Sequence, residues 1–366
     1  MNKTIRLTAL GVAAAAMLAA CGNAPDDDNG STTNTSAGGS TPSASATSDF
    51  QACMVTDSGG IDDRSFNANG WKGLEDAESQ LGIQAKYVES NADTDYAPNV
   101  QQMVDDTCGI IVTVGFLLGD ATKAAAEANP DENFAIVDYS YDPPVSNIKP
   151  LTFDTAQAAF LAGYVAAATT KSGKVATFGG IQIPTVTIFM DGFLEGINYY
   201  NDQKSANVEL LGWDGKNGSF TGDFQDQNKG QQLTQNFIDQ GADIVLPVAG
   251  PVGLGAAAAA QATDGAVNLI WVDTDGYESA PDFKGLFITS VIKRIDNAVL
   301  DATQSAVDGD FTGDPYVGTL ENEGVAIAPF HDFESKVPAG LQDEIDTIQA
   351  SIISGDIEVT SPMTTP

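Results

Sequence analysis

The stretch DSGGIDDRSFNANGWKG, residues 57–73, places adjacent carboxylates, a phenylalanine and two asparagines just ahead of a predicted helix. Asp62 and Asp63 could act as the carboxylate pair of a glycoside hydrolase. Carboxylates in this position more often cap the free N–H groups of a helix and interact favourably with its dipole. We therefore expect capping from this pair, and we consider the neighbouring aromatic and amide groups as candidates for holding a small ligand.

Other chemistry finds little support in the chain. The single histidine, His331, lies in PFHDF near the C-terminus, and no G-x-S-x-G motif is present to supply a nucleophile. The chain has no Cys/His ligand spacing, no Walker A sequence and no G-x-G-x-x-G after a strand. We expect a binding protein rather than an enzyme, with no cofactor and no metal.

The chain is strongly acidic. Its 366 residues include 16 Lys and Arg against 50 Asp and Glu, which gives a formal net charge of -34. Such a surface repels phosphate backbones, so we expect no nucleic-acid partner. Solubility or adaptation to salt explains the acidity better than an acid-specific partner does.

The N-terminus has the features of a bacterial lipoprotein. Lys3 and Arg6 precede an apolar run that ends in LAAC at Cys21 and is shorter than a membrane span. This pattern resembles a lipobox and predicts a signal peptide over residues 1–20 and a diacylated Cys21, although an ordinary signal peptide with a chance cysteine would look similar. Residues 21–48 lack aromatic and long aliphatic side chains, which indicates a flexible linker. We expect anchoring to the membrane without a span.

Cys53 and Cys108 are the other two cysteines, and each lies at the start of a predicted strand. Outside the cytoplasm such a pair can form a disulfide within one sheet. The alternative is two buried thiols that act as small apolar residues.

From residue 49 onward, Val- and Ile-rich runs alternate with amphipathic segments, which predicts an α/β fold with mostly parallel sheets flanked by helices. The pattern restarts near residue 153 and so indicates two lobes. We assign residues 49–152 plus 277–312 to the N-terminal lobe and residues 153–276 plus 313–366 to the C-terminal lobe.

Ligands of parallel sheets bind beyond the carboxyl ends of the strands. Glycines and carboxylates recur there in both predicted lobes, which favours a ligand cleft between the lobes. The strand-end residues are Asp57, Gly115, Phe116, Asp138, Gly179, Gly180, Ala249, Gly250 and Asp273.

Several stretches together resemble the basic membrane protein (BMP) family, the substrate-binding lipoproteins of ABC transporters, several of which bind purine nucleosides. They are GGIDDRSFNANGWKG, TVGF, LTFDTAQAAFLAGYVAA, FMDGFLEGI, GSFTGDF and VDTDG followed by TSVIKRID. They occur in order over nearly the whole mature chain. The resemblance implies a type I periplasmic-binding-protein fold that encloses its ligand between two lobes.

The resemblance also implies roles for individual residues. Phe66 and Phe220, one from each lobe, correspond to an aromatic pair that sandwiches a base, although both could be core residues. Asn67 would contact the base edge, and Asp273 and Lys293 would hold the ribose. Further polar or close backbone contacts are expected from Asp57, Asp120, Asp138 and Gly250.

The function implied is a monomeric binding lipoprotein on the extracytoplasmic face of the cell membrane. It would deliver guanosine, adenosine or inosine to an ABC permease. A sugar or another small polar ligand in the same cleft is the first alternative. A surface protein for adhesion or sensing is the second, and a nucleoside-cleaving enzyme is the third, with no acid/base pair clearly positioned for it.

Overall fold

The computed structural model describes residues 49–361 of the chain. The predicted signal peptide, the linker and Cys21 lie outside these residues. A search of the described part for a helix of sufficient length and hydrophobicity to cross a membrane finds none.

The first lobe begins with alternating strands and helices, as the sequence predicts. Its strands β1, β3 and β4 are buried along nearly their whole length, because helices cover both faces of the sheet. These strands and their neighbours pair in parallel in the order β5-β4-β3-β1-β2. The elements are β1 (Gln51–Thr56), α1 (Phe66–Leu81), β2 (Gln84–Val88), α2 (Asp93–Asp105), β3 (Ile110–Val114), α3 (Gly119–Ala128), β4 (Phe134–Val137) and β5 (Ile148–Phe153).

The second lobe repeats this construction after the chain crosses over at Asp154. Its strands pair in parallel in the order β10-β9-β8-β6-β7. The elements are α4 (Thr155–Thr169), β6 (Lys174–Gly179), α5 (Pro184–Lys204), β7 (Glu209–Leu211), α6 (Gln227–Asp239), β8 (Ile244–Val248), α7 (Val252–Gln261), β9 (Asn268–Asp273), α8 (Gly276–Ser279) and β10 (Phe287–Lys293).

The rest of the described chain returns to the first lobe and then goes back to the second. The elements are α9 (Ile295–Asp308), β11 (Tyr316–Gly318), β12 (Val325–Ile327) and α10 (Leu341–Ser354). Helix α9 packs on α1, and β11 adds a parallel strand beside β5. Strand β12 pairs antiparallel with β10, and α10 packs on α4. The two lobes predicted from sequence are therefore present, each with a six-stranded sheet.

The positions where the chain changes lobe differ from the predicted boundaries. Residues 277–312 were expected in the first lobe, but β10 lies in the second sheet. Residues 313–366 were expected in the second lobe, but β11 lies in the first sheet. The chain crosses after β5, after β10 and between β11 and β12. Strand patterns are alike in both sheets, so hydrophobic periodicity identifies β10 without showing which sheet it joins.

Cys53 and Cys108 are joined by a disulfide on the side of the first sheet that α2 and α3 cover. Cys53 lies in β1, and Cys108 lies two residues ahead of β3, with the Cα atoms 5.9 Å apart. Both residues are fully buried. The bridge thus connects two adjacent strands, and β1 leads directly to Asp57 at the edge of the cleft.

Candidate functional site

A cavity lies where the carboxyl ends of the strands of both lobes meet. It encloses about 550 Å³ of space not filled by protein atoms, part of it open to solvent. From the first lobe it is lined by Asp57, Ser58, Asp63, Phe66, Asn67, Phe116 and Asp138; from the second, by Ile183, Thr185, Val186, Phe189, Phe224, Val248, Ala249, Gly250, Pro251, Val272, Asp273 and Lys293.

The start of α1 supplies the aromatic and amide groups that the sequence singles out. Asp63 accepts hydrogen bonds from the backbone N–H groups of Ser65 (3.0 Å), Asn67 (2.7 Å) and Ala68 (3.0 Å). The expected capping role is confirmed for Asp63, which orders the first turn of α1. This turn brings Phe66 and Asn67 to the cavity, whereas Asp62 is exposed.

Asp57 follows β1 and is held against the next strand. Its backbone N–H donates to Val114 at 3.1 Å, and its Oδ1 accepts a hydrogen bond from Asn67 Nδ2 at 3.0 Å. Gly115, at φ 129°, lies so close that a Cβ atom there would collide with the Asp57 carboxylate. Glycine at this position therefore allows the carboxylate to sit beside the end of β3.

Asp138 and Asp273 occupy equivalent places in the two lobes, one residue after β4 and at the end of β9. Both non-glycine residues have positive φ, 69° and 68°, a conformation that costs energy and is concentrated at functional sites. Both side chains are buried. The conformation thus turns a carboxylate from each lobe into the same cavity.

Lys293, at the end of β10, is the one ammonium group among the cavity residues of the described chain. It is 2% exposed and forms an ion pair with Asp138 of the other lobe. Its Nζ lies 4.9 Å from the ring centre of Phe66, 5.3 Å from that of Phe153 and 5.8 Å from that of Phe189. Aromatic faces attract a desolvated cation, so the three rings and Asp138 together surround the buried ammonium group.

Further hydrogen bonds join the lobes at the floor of the cavity. Ser65 Oγ donates to Asp273 Oδ2 at 2.6 Å, and Asn69 Nδ2 donates to the backbone oxygen of Lys293 at 2.7 Å. Helix α1 of the first lobe is thereby attached to the ends of β9 and β10 in the second. The two walls of the cavity are in direct polar contact.

Burial raises the pKa of the four cavity carboxylates. It raises the pKa of Asp63 to about 7, although three backbone N–H groups oppose the shift. It also raises the pKa of Asp57 well above its ordinary value, opposed by Asn67, and it raises those of Asp138 and Asp273, opposed by Lys293. Four carboxylates around one ammonium favour a ligand rich in hydrogen-bond donors and disfavour an anionic one.

Phe220 does not line the cavity, contrary to the sequence interpretation. Its half-buried ring packs on Trp213, with ring centres 6.1 Å apart, and over Gly179, where a Cβ atom would collide with it. The ring packed over the neighbouring Gly180 is that of Phe224, which does line the cavity. Of these two rings, that of Phe224 and not that of Phe220 lines the cavity in this structure.

Most of the other predicted ligand contacts line the cavity. Seven of the nine predicted ligand contacts line the cavity, while Asp120 is exposed on the first turn of α3 and does not. The seven are Asp57, Phe66, Asn67, Asp138, Gly250, Asp273 and Lys293. His331 donates to or accepts from Asp275 at 2.7 Å and stacks on Tyr277, away from the cavity.

Sequence reasoning missed several cavity residues. Phe116 and Phe189 both line the cavity, although neither is among the predicted ligand contacts, and Phe189 is only 2% exposed. Ile183, Thr185 and Phe224 lie at the start of α5 and in the loop before α6. The position of Phe116 directly after a strand was the one local signal available. Residues 49–361 contain no group of three or more His, Cys, Asp or Glu side chains placed to hold a metal ion.

Comparison with known proteins identifies the family. The family model of Bmp, described as ABC transporter substrate-binding protein PnrA-like, matches residues 50–362. The chain belongs to this family. It is 30% identical to the ABC transporter nucleoside-binding protein BmpA of Lactococcus lactis, over 98% of this chain and 99% of the relative. It is 29% identical to Basic membrane protein A of Borreliella burgdorferi, over 83% of this chain and 86% of the relative.

Solved structures support the same fold. An ABC transporter solute-binding protein from Aeropyrum pernix K1 superposes with a TM-score of 0.78 at 22% identity, covering 86% of this chain and 94% of that one. The fold is that of type I periplasmic binding proteins, with two mostly parallel sheets flanked by helices. As a Bmp-family member, the chain is a substrate-binding protein of an ABC transporter, a family whose members bind and do not catalyse.

Proposed function

We propose that this Bmp-family protein binds purine nucleosides in the interlobe cavity and delivers them to an ABC permease. The observation that carries the proposal is the combination in one cavity of aromatic rings from both lobes, Phe66 and Phe224, with the polar groups Asp273 and Lys293. A nucleoside offers a flat base to stack on the rings and a ribose whose hydroxyls donate to a carboxylate.

We propose a separate role for each group of cavity residues. Phe66 and Phe224 contact the two faces of the base, and Asn67 and Asp57 meet its polar edge. Asp273 accepts hydrogen bonds from the ribose hydroxyls. Its Oδ2 already accepts one from Ser65, which fixes its orientation. Gly250, at φ 52° with open space around its Cα, allows close approach of the ligand to the backbone of the second lobe.

Two further observations support the proposal. The Lactococcus lactis relative, similar along almost its whole length, is named as nucleoside-binding. The excess of buried carboxylates favours neutral ligands with many hydrogen-bond donors. Nucleosides, which carry no phosphate group, are ligands of this kind.

The test begins with the molecule that the purified protein retains. Denaturation followed by mass spectrometry should release a purine nucleoside, and calorimetric titration of ligand-free protein should show micromolar or tighter binding of guanosine, adenosine or inosine. Ribose and uridine serve as controls for the sugar alone and for a smaller base. Release of a sugar, or no nucleoside binding below millimolar concentration, would replace the nucleoside with a sugar-type ligand or with an adhesive or sensing role.

We further propose that Cys21 is diacylated and that the mature protein is a monomer tethered by residues 21–48 to the extracytoplasmic face of the cell membrane. The lipobox pattern LAAC and the absence of long apolar runs after it support this. Cys21→Ser should abolish incorporation of labelled lipid. Undiminished labelling of that variant would exclude this anchor.

A further inference from the structure

The ligand cavity continues beyond Lys293 into a second space between the lobes. This second compartment encloses about 760 Å³ not filled by protein atoms, part of it open to solvent, against about 550 Å³ for the ligand cavity. The two spaces share the lining residues Phe116, Asp138, Thr185 and Lys293. Residues that line only the second compartment include Tyr139, Ser140, Phe153, Pro184 and Ile188. A ligand held at Lys293 therefore has space ahead of it that the ligand cavity alone does not provide.

The walls of the second compartment are mainly apolar. The first lobe contributes the rings of Phe116 and Tyr139, whose centres lie 5.1 Å apart. The start of α5 in the second lobe contributes Pro184 and Ile188, and Phe153 lies at the end of β5, where the chain crosses between the lobes. Apolar surface gains free energy from burial, whereas a buried charge needs a partner, so these walls favour a small apolar group.

The junction between the two compartments offers no unpaired positive charge. Lys293 carries the one ammonium group among residues 49–361 that line either compartment, and it forms an ion pair with Asp138. A phosphate group placed here would meet the carboxylate of Asp138 without a cation of its own. The second compartment therefore favours a neutral group over an anionic one.

The residues around the proposed nucleoside determine which of its ends faces the second compartment. Phe66 and Phe224, the proposed base contacts, do not line it, and neither does Asp273. Lys293, a proposed ribose contact, lines both compartments. The extension is therefore on the ribose. The 2′ and 3′ hydroxyls lie on one face of the ribose and can donate together to the carboxylate of Asp273, whereas the 5′ carbon lies on the opposite face and stays free.

We propose that the second compartment binds a small, neutral, apolar substituent on the 5′ carbon of a purine nucleoside. A methylthio group in place of the 5′ hydroxyl is a substituent of this class. The inference rests on the proposed nucleoside function and extends the ligands of the site from nucleosides to their 5′-substituted derivatives.

Three derivatives of adenosine test the size and chemistry of the second compartment. The 5′-methylthio derivative should bind about three- to tenfold more tightly than adenosine, because it buries apolar atoms between the two lobes. Adenosine 5′-phosphate should bind more weakly than adenosine, because it brings an anion to Asp138. A benzyl group on the amino nitrogen of the base should weaken binding by at least about tenfold, because the base has no such space beside the buried Asp57 and Asn67.

The experiment is calorimetric titration of the ligand-free full chain with adenosine and these derivatives. Ser140→Phe and Ile188→Phe each add a ring to the second compartment, one from each lobe. Each variant should weaken binding of the methylthio derivative by at least about tenfold and change adenosine binding by less than about threefold. Ser79→Phe is the matched control, because Ser79 is exposed on α1 and lines neither compartment, so both affinities should stay as in wild type.

The outcomes separate the inference from the proposed function. If neither adenosine nor its methylthio derivative binds below millimolar concentration, the nucleoside function itself fails. If adenosine binds and the methylthio derivative binds more weakly, or if neither filling variant discriminates between them, the second compartment does not hold a 5′ substituent while nucleoside binding stands.

The other two derivatives can also overturn the inference. Tighter binding of the 5′-phosphate than of the methylthio derivative would show that the favoured substituent is anionic. If the benzyl derivative binds as well as adenosine and Ser140→Phe abolishes its binding, the base and not the ribose faces the second compartment. If Ile188→Phe does not fold, Ser140→Phe at its exposed position gives the same comparison.

Discussion

The two walls of the cavity differ in chemistry. The first lobe presents hydrogen-bonding groups, of which Asp57 and Asn67 are paired with each other and fixed by β1 and α1. The second lobe presents mainly apolar surface, including Ile183, Val186 and Pro251. From this difference we propose that the first lobe contacts the polar edge of a ligand, whereas the second covers the ligand and excludes water.

The second wall carries its charges only at the floor of the cavity, where it touches the first lobe. Asp273 accepts a hydrogen bond from Ser65, and Lys293 is paired with Asp138. These groups have two tasks, to contact the ligand and to join the lobes. A ligand that competes for them would weaken the polar contact between the lobes.

The largest effect on stability should come from removing the ammonium group of Lys293. Lys293→Met leaves Asp138 and Asp273 buried without their counter-charge, and breaking a buried pair in this way costs about 3–5 kcal/mol. The free energy of unfolding of the ligand-free variant, measured in urea, should fall by that amount. Adding Asp138→Asn in the same chain should recover part of the loss, because it removes one of the unpaired charges.

Lys72 is the matched control for this variant. It forms an ion pair with Asp76 on the exposed face of α1, and its side chain is 53% exposed. Exposed pairs contribute at most about 1 kcal/mol, so Lys72→Met should change stability little. Equal effects of the two lysine variants would contradict the view that the cavity floor joins the lobes through a desolvated ion pair.

A somewhat smaller effect is expected from the titration of Asp63 in the first wall. Burial raises its pKa from the ordinary value of 3.8 to about 7, so the folded protein holds a proton that the unfolded chain has released. The stability contributed by this group is complete below pH 4 and is lost as pH rises through 7. Wild type should therefore lose at most about 4 kcal/mol from this group between pH 4 and pH 8.

Asp62→Asn is the control variant, because Asp62 is an exposed carboxylate directly before Asp63 in the sequence. The free energy of unfolding of ligand-free Asp63→Asn should depend less on pH than that of wild type, while Asp62→Asn should keep the wild-type slope. The general repulsion of a chain with net charge -34 acts equally on both variants. If both variants show the same slope, the buried carboxylate does not titrate as described.

The same contrast between walls explains what sequence reasoning achieved. Asp57, Asp138 and Asp273 follow from a general rule, because ligands of parallel sheets meet the carboxyl ends of strands. Phe66 and Asn67 are marked by their position at the recognisable start of a helix, and their expected roles come from the resemblance to the BMP family. The α/β fold class follows from alternating strands and helices, and the strand order of the two sheets confirms it.

What the sequence did not reveal depends on packing between distant segments. Phe220 and Phe224 lie in one loop with similar local composition. Their positions differ because Phe220 packs over Gly179 and Phe224 packs over Gly180, at the end of β6. The sheet that β10 joins is likewise set by tertiary pairing with β9 and β12. Periodicity and turn chemistry carry no information about either choice.

The smallest effects are expected from replacing Phe224 or Phe220 by alanine. Comparing the affinity and stability of these two variants is the sharpest test of the second wall. Phe224→Ala removes a ring from the cavity and should raise the dissociation constant for guanosine roughly tenfold to a hundredfold, corresponding to about 1–3 kcal/mol per stacked base. Phe220→Ala removes a half-buried ring packed on Trp213, so it should lower stability by about 2 kcal/mol and change affinity less than threefold. Calorimetry and urea unfolding of both variants separate these effects. The reverse result would mean that the loop rearranges when the lobes close on a ligand and brings Phe220, rather than Phe224, against the base.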